Sequence, residues 1–506
     1  MLALIVGGMA AAMFASHRPG HWWGDDWALY IRQAKGVLDG HPGRVLDENR
    51  FTVEASEGSA FSPPLYPWGF PLLLAPFVSI VGDDLDRLAI VPVLCACLFA
   101  CSWYALAKPR IGTFAAMLGV VAVTLTPVLL SWTELIQSEW PFLAITALTL
   151  VGVDRVVTSG GLVKPTAGWA PLALVGLGAA FAFTVRREGL ALFAAVLAAQ
   201  LVALADLEQR PWSLPRRKLR HLLGRLAVPH TIGLGFVALL QLILPSTLVP
   251  QYAGTGVGNV WRLRAKLFRN LAEISGFKRP TAPDPTVLGS VGLGWSVLVV
   301  YLVVGYFGVV VASTTGRRRD VHLAAYVVVA IVIGGSFRVA INRYVCTVAP
   351  LLLLLALSLT VIAIRAVHRP RLAGSVASVV LALIATGNLV QARTAIENAQ
   401  AFTDAGQVEW GPTHPDAVEM FEAVKHLTKP DDVVAAPKAR AMVLETDRRS
   451  IQVDEYHPIP PDLTIALIVA DRDSSVAIHL NAMPDKYRLI WENLRFQIFV
   501  PTRSGE

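Results

Sequence analysis

Leu88-Ala89-Ile90-Val91-Pro92-Val93-Leu94-Cys95-Ala96-Cys97-Leu98-Phe99-Ala100-Cys101-Ser102-Trp103-Tyr104-Ala105-Leu106-Ala107 is a run of twenty residues without a charge. About 20 apolar residues in helical conformation cross a hydrocarbon core about 30 Å thick. Similar blocks lie on both sides of it, near residues 1–15, 111–130, 140–153, 169–185, 188–205, 227–247, 288–313, 321–336, 344–364 and 372–391. The first block lacks the basic flank of a signal peptide and is read as a helix. The pattern predicts a polytopic α-helical membrane protein of about eleven spans.

Composition agrees. Of 506 residues, 54% are hydrophobic and only 16% charged, with a mean hydropathy of +0.53. Soluble domains carry about 25% charged residues. A disordered chain, a disulfide scaffold and an ordinary cytosolic enzyme are excluded. The net charge of +7 does not point to nucleic acid, because the basic residues sit mostly in short loops between spans. Cys95, Cys97, Cys101 and Cys346 lie inside apolar blocks without C-x-x-C spacing and read as small hydrophobes.

Alternate loops carry the basic clusters: Lys108 and Arg110; Arg155 and Lys164; Arg210, Arg216, Arg217, Lys218, Arg220 and Arg225; Arg317–Arg319; Arg365, Arg369 and Arg371. The positive-inside rule makes that side cytoplasmic. The long segments then face outside. These are loop 16–87, loop 248–287 and a polar tail, 392–506, long enough for a small domain. The tail shows a helical stretch at 415–428 and strand-like runs at 432–436, 465–470 and 496–500. The expected organisation is a membrane domain over 1–391 and an extracytoplasmic α/β domain over 392–506. Asp431-Asp432 reads as a turn before a strand.

The first outer loop opens with His21-Trp22-Trp23-Gly24-Asp25-Asp26-Trp27-Ala28-Leu29-Tyr30. Tryptophan belongs at a membrane interface. Adjacent carboxylates do not, because like charges and desolvation both disfavour them there. One Asp can cap a helix running from about 27 to 38; the second points to function. Further on, Pro63, Pro64, Pro67 and Pro71 interrupt Phe61–Pro71 and forbid a regular helix at its start. The apolar run 70–81 is too short to span, so it predicts an interfacial or re-entrant helix. The loop thus holds acidic residues along the membrane surface.

The pattern Asp25-Asp26-x-x-x-Tyr30, the turn Leu38-Asp39-Gly40 and Pro63-Pro64-x-Tyr66-Pro67-x-Gly69-Phe70-Pro71-Leu72-Leu73-Leu74-Ala75-Pro76 resemble the GT-C glycosyltransferases. The branch they resemble is that of protein O-mannosyltransferases and aminoarabinose lipid A transferases. The resemblance implies a GT-C fold in a bacterial cytoplasmic membrane with the site facing outside. It implies inverting sugar transfer from a polyprenyl-phosphate donor to an acceptor hydroxyl of an envelope glycan, lipid or protein. It also implies a first-loop Asp as general base. The family's spacing to an aromatic, matched by Asp26 and Tyr30, puts Asp26 first and Asp25 second. Tyr30 and Tyr66 would shape the site.

Glu139, in the turn Trp132–Trp140, abuts the next span, where a carboxylate is costly unless paired or functional. The resemblance implies that it orders the site or helps hold a divalent ion; with Asp26 and a third carboxylate from Glu54 or Glu57 it would make an oxygen-rich cation site, and metal use stays open. A leaving phosphate needs cations. Arg186 and Arg187, between two spans, must be paired, snorkelled or binding an anion. Arg338 and Arg343-Tyr344 form a similar turn, and Arg262 and Arg264 lie on a basic amphipathic stretch that follows a glycine-rich segment, Gly254–Gly258. A transporter or flippase is the main rival. It would carry its charges within the spans, whereas here they cluster at the outer ends, and no repeated halves are evident.

Overall fold

The computed structural model describes residues 1–56, 63–163, 168–207, 214–248, 320–336, 346–366, 370–453 and 463–502. Helices occupy ten of the eleven apolar blocks, and the eleventh, 288–313, lies outside the described residues. The chain begins with α1 (Leu2–Ala15). The first loop then folds into α2 (Asp26–Leu38), α3 (Pro42–Ala55) and α4 (Gly69–Val81), with a single turn of helix, α5 (Leu85–Leu88), before the quoted block. That block is α6 (Ile90–Ile111).

The block at 111–130 is broken into α7 (Thr113–Thr124) and α8 (Pro127–Ser131). Pro127 disfavours helix at the residue before it, and the chain turns there. The bundle continues with α9 (Glu139–Thr158), α10 (Ala170–Val185), α11 (Leu190–Ala205) and α12 (Arg216–Ile243). Helix α12 starts well before its apolar block, so Arg216, Arg217, Lys218, Arg220 and Arg225 lie on its first turns and not in a loop. It stops before Pro245, as the residue preceding a proline should. The last apolar helices are α13 (Val321–Ser336), α14 (Ala349–Ala366) and α15 (Pro370–Asp404). Five described helices have the length and apolar content to cross a membrane, and six more are shorter apolar helices.

The bundle is apolar nearly all round, as membrane helices are. Its buried tryptophans donate their indole N–H to backbone oxygens: Trp103 to Pro350 at 3.1 Å, Trp140 to Leu129 at 3.0 Å, Trp68 to Pro245 at 2.8 Å. Each buries a large ring and still satisfies its polar atom. At one end of α6 and α9, Arg110 joins Asp154 at 3.0 Å and Asp320 at 2.7 Å, with Ser358 on Asp320. These contacts tie α6, α9 and the middle of α14 to the start of α13.

Beyond α15 come α16 (Pro415–Leu427), β1 (Val433–Ala436), α17 (Ala439–Thr446), β2 (Arg449–Gln452), β3 (Leu467–Asp471), α18 (Ser475–Asn481), β4 (Tyr487–Glu492) and β5 (Phe496–Pro501). The sheet order is β2-β1-β3-β5-β4; β1 is parallel to β2 and β3, while β5 is antiparallel to β3 and β4. The continuous apolar runs became the buried strands β1, β3 and β5. The polar β2 carries no apolar run, and β4 holds only a short one, Leu489-Ile490-Trp491, between charged residues; hydropathy predicts neither.

The sheet layer sits on the first-loop helices. Helix α2 packs on α4 and α17, and α3 packs on β2. Trp23 joins the sheet's own apolar cluster. Glycine permits a close contact below: a Cβ on Gly69 would lie 2.6 Å from the backbone of Thr184 and Val185. The start of α4 is thereby pressed against the end of α10.

Candidate active site

Asp25 and Asp26 open helix α2. Asp25 holds the N-cap position but its side chain makes no cap bond. Its Oδ1 instead accepts the N–H of Ala441 on α17, at 3.4 Å. Its Oδ2 is buried and has no hydrogen-bond partner among the described residues. Capping thus explains neither oxygen. Burial pushes the Asp25 carboxyl above its usual value of 3.8, Arg440 and Lys438 pull it back, and Asp26 pushes the same way as burial. A carboxylate with raised proton affinity and a free oxygen is suited to take a proton.

Asp26 accepts the hydroxyl of Tyr66 at 2.5 Å. Tyr66 is held by its backbone. Its carbonyl accepts from Gln33 Nε2 at 2.9 Å, and its N–H donates to Gln33 Oε1 at 3.1 Å. Gln33 lies two turns along α2 from Asp26, on the same face. The proline-rich strap is thus pinned along the helix that carries the carboxylates.

Arg440, fully buried at the start of α17, closes the group. It donates to Tyr66 Oη at 3.1 Å, Asn49 Oδ1 at 3.0 Å and the Pro63 carbonyl at 2.8 Å. Burial works against its charge, but Tyr66, Asp25 and Asp26 more than offset this and raise its pKa. Sequence reading did not find Arg440. A signal existed: Lys438 and Arg440 stand at a helix N-terminus, where the dipole disfavours cations. Nearby carboxylates are what offset that.

Tyr30 links this group to a second one. Its ring lies 4.8 Å from that of Tyr66, and its hydroxyl donates to Ser138 Oγ at 3.3 Å. Ser138 also accepts from Arg186 Nη1 at 3.3 Å. Arg186 is buried and takes the paired alternative. It meets Glu139 Oε1 at 2.6 Å and Glu188 Oε1 at 3.0 Å. Two carboxylates already compensate this guanidinium. Arg187 differs: its Nη2 is buried without a hydrogen-bond partner among the described residues, and its guanidinium stands 5.2 Å over the Phe183 ring.

The structure therefore brings Asp25, Asp26, Tyr30, Tyr66, Glu139 and Arg186 into one connected cluster, with Arg187 beside it. Glu57, Arg262, Arg264, Arg338, Arg343 and Tyr344, and the basic amphipathic stretch with its glycine-rich segment, lie outside the described residues. Among the described residues no three His, Cys, Asp or Glu side chains converge as a metal site; Glu139 faces Arg186. Chemically, the cluster offers a proton acceptor beside a cation and a second, pinned carboxylate, at the end of an apolar bundle.

Comparison with known proteins adds the following. Residues 62–231 match the family model of dolichyl-phosphate-mannose-protein mannosyltransferases. The match spans Tyr66, Glu139 and Arg186 and begins after Asp25 and Asp26. No curated protein sequence matches the chain. Among solved structures, ArnT from Cupriavidus metallidurans in the apo state is similar in fold, with a TM-score of 0.54 at 12% identity, over 99% of this chain and 98% of that one. ArnT of the same organism bound to undecaprenyl phosphate gives a TM-score of 0.53 at 12% identity and the same coverage.

Proposed function

We propose that this chain, a GT-C membrane glycosyltransferase by its fold and by the family model it matches, transfers a sugar from a polyprenyl-phosphate donor to an acceptor hydroxyl. The observation that carries the reaction is Asp25: a raised carboxyl with one buried oxygen unspent, beside Asp26, Tyr66 and Arg440. Spacing favours Asp26 as the base. Its engagement by Tyr66 favours Asp25, and Asp25 is the assignment adopted, with Asp26 as its positioning neighbour.

The acceptor hydroxyl gives its proton to Asp25. The acceptor oxygen forms a bond to the anomeric carbon as the bond from that carbon to the phosphate oxygen breaks. The electron pair leaves with polyprenyl phosphate. A single displacement on the face opposite the leaving group inverts the anomeric centre. The leaving anion needs a cation that is not already neutralised. Arg187 meets that condition, and Arg186 serves instead to hold Glu139 and Glu188. Arg262, Arg264, Arg338, Arg343 and Tyr344 are further phosphate-binding candidates on sequence grounds. The undecaprenyl phosphate held by ArnT supports this donor class.

Sidedness follows from charge. Glu139 and Arg155 lie near opposite ends of α9. A 20-residue helix is about 30 Å long, the thickness of the hydrocarbon core. The carboxylate site therefore faces outside if the arginine-rich end is cytoplasmic.

The test is transfer by the full chain in lipid nanodiscs. It uses a panel of polyprenyl-phosphate sugars with crude envelope as acceptor, and NMR of the product linkage. Release of polyprenyl phosphate with one donor, and inversion at the anomeric carbon, are expected. Retention of configuration overturns the single-displacement mechanism. Release from none of the panel overturns the donor class.

A further inference from the structure

Next to Asp25 lies a cavity of about 310 Å³ whose walls include Trp22, Trp23, Trp410 and Phe496, with Lys438 and Asp471 among its polar groups. It forms where the first loop meets the sheet layer. Trp410 stacks on Phe496 at 5.6 Å and meets Trp23 edge-on at 6.1 Å. This gives a rigid aromatic floor. Trp22, by contrast, is 56% exposed at the rim, so its indole face is open to a ligand.

The polar groups are unspent. The Lys438 and Asp471 side chains make no hydrogen bond or ion pair among the described residues, although both face this cavity. Lys438 is close enough to both Asp25 and Asp471 to bias their protonation. Trp23 is two residues from Asp25, and Ala441, whose N–H reaches Asp25, precedes the lining residue Met442. The cavity wall is therefore built from the same two stretches of chain that hold the proposed base.

Aromatic faces with a few fixed charged hydrogen-bonding groups match a sugar ring, which presents apolar C–H groups on one face and hydroxyls at its rim. A peptide backbone would leave the indole face and both charges poorly used. We propose that this cavity binds a sugar residue of the acceptor, so that the enzyme extends or decorates a glycan. The proposal rests on the transferase reading. It names the acceptor class that reading left open.

Binding is measured without donor, which separates the two claims. The full chain in nanodiscs is titrated with mannohexaose, arabinohexaose and galactohexaose, and with a serine- and threonine-rich peptide, by saturation-transfer NMR. Trp22→Ala, Trp22→Phe and Asp471→Asn are compared; Trp22 is exposed, and Asn keeps the shape of Asp. One oligosaccharide is expected to bind, about tenfold more weakly in Trp22→Ala and Asp471→Asn, with Trp22→Phe near wild type. In transfer assays the loss should fall on the acceptor KM and not on kcat. The same oligosaccharide on a lipid anchor binding more tightly identifies a membrane-borne glycan; equal binding identifies a free polymer. Binding of none of the oligosaccharides, equal binding by Trp22→Ala, or binding of the peptide alone overturns the proposal. Sugar binding without any donor turnover leaves the cavity standing and overturns the transferase mechanism instead.

Discussion

Asp25 and Asp26 are adjacent in sequence but differ in what surrounds them. Asp26 is fixed by Tyr66, and Asp25 keeps an oxygen in reserve. A base must be deprotonated to act. Because burial raises the Asp25 carboxyl above 3.8, the acid limb of kcat/KM should lie above the ordinary Asp range, with activity falling as pH drops through it. Lys438 pulls that carboxyl down, so Lys438→Met should move the limb to higher pH. An unmoved limb would separate Lys438 from the base. Tyr66→Phe removes a hydroxyl shared between Asp26 and Arg440. Loss of a hydrogen bond to a charged group costs about 1.5–3 kcal/mol, so kcat/KM should fall about 10- to 100-fold with the fold intact. The doublet itself was legible in sequence because two carboxylates among tryptophans at an interface demand a reason. Which of the two is the better base was not legible, since that depends on Ala441 and Arg440, some 400 residues away.

At the scale of elements, the turn between α10 and α11 is a small buried ion network. Arg186 is shared by Glu139 and Glu188. Removing one partner of a buried pair costs about 3–5 kcal/mol because the other charge stays uncompensated. Arg186→Gln strands two carboxylates and Glu139→Gln strands none, so Arg186→Gln should lower the melting temperature more. Equal effects would mean the network is hydrated. Gly69→Ala should destabilise as well, since its Cβ meets backbone and not a movable side chain. Helices were legible here wherever hydropathy was continuous. The break between α7 and α8 is hidden because an apolar block conceals a proline, β2 is hidden because it is polar, and β4 because its apolar residues number only three in a row and are at least partly exposed.

Across the whole molecule, the first loop couples the bundle to the sheet layer, and His21 is one of its anchors. Its Nδ1–H donates to the Trp22 carbonyl at 2.8 Å while Nε2 accepts the Ile136 N–H at 3.1 Å. That arrangement requires a neutral ring. Burial pushes its pKa down from 6.5 to about 4. The unfolded chain therefore binds the extra proton first as pH falls. Stability is full above 6.5 and is lost between 6.5 and about 4, by on the order of 3 kcal/mol for this group. Thermal melts of wild type and His21→Gln across that range should converge at low pH; parallel curves would remove His21 from the linkage. The helical class and the positions of the described apolar helices could be read from hydropathy alone. The way the tail returns to the first loop could not, because it rests on side chains such as Arg440 and Trp410 that carry no periodic signal.

The base assignment is tested most directly by the rate of polyprenyl-phosphate release in Asp25→Asn, at saturating donor and acceptor and unchanged melting temperature. Asn keeps the shape and cannot take the proton, so a fall of at least about 100-fold is expected, as removal of a general base gives. A rate within a few-fold of wild type would contradict Asp25 as the base.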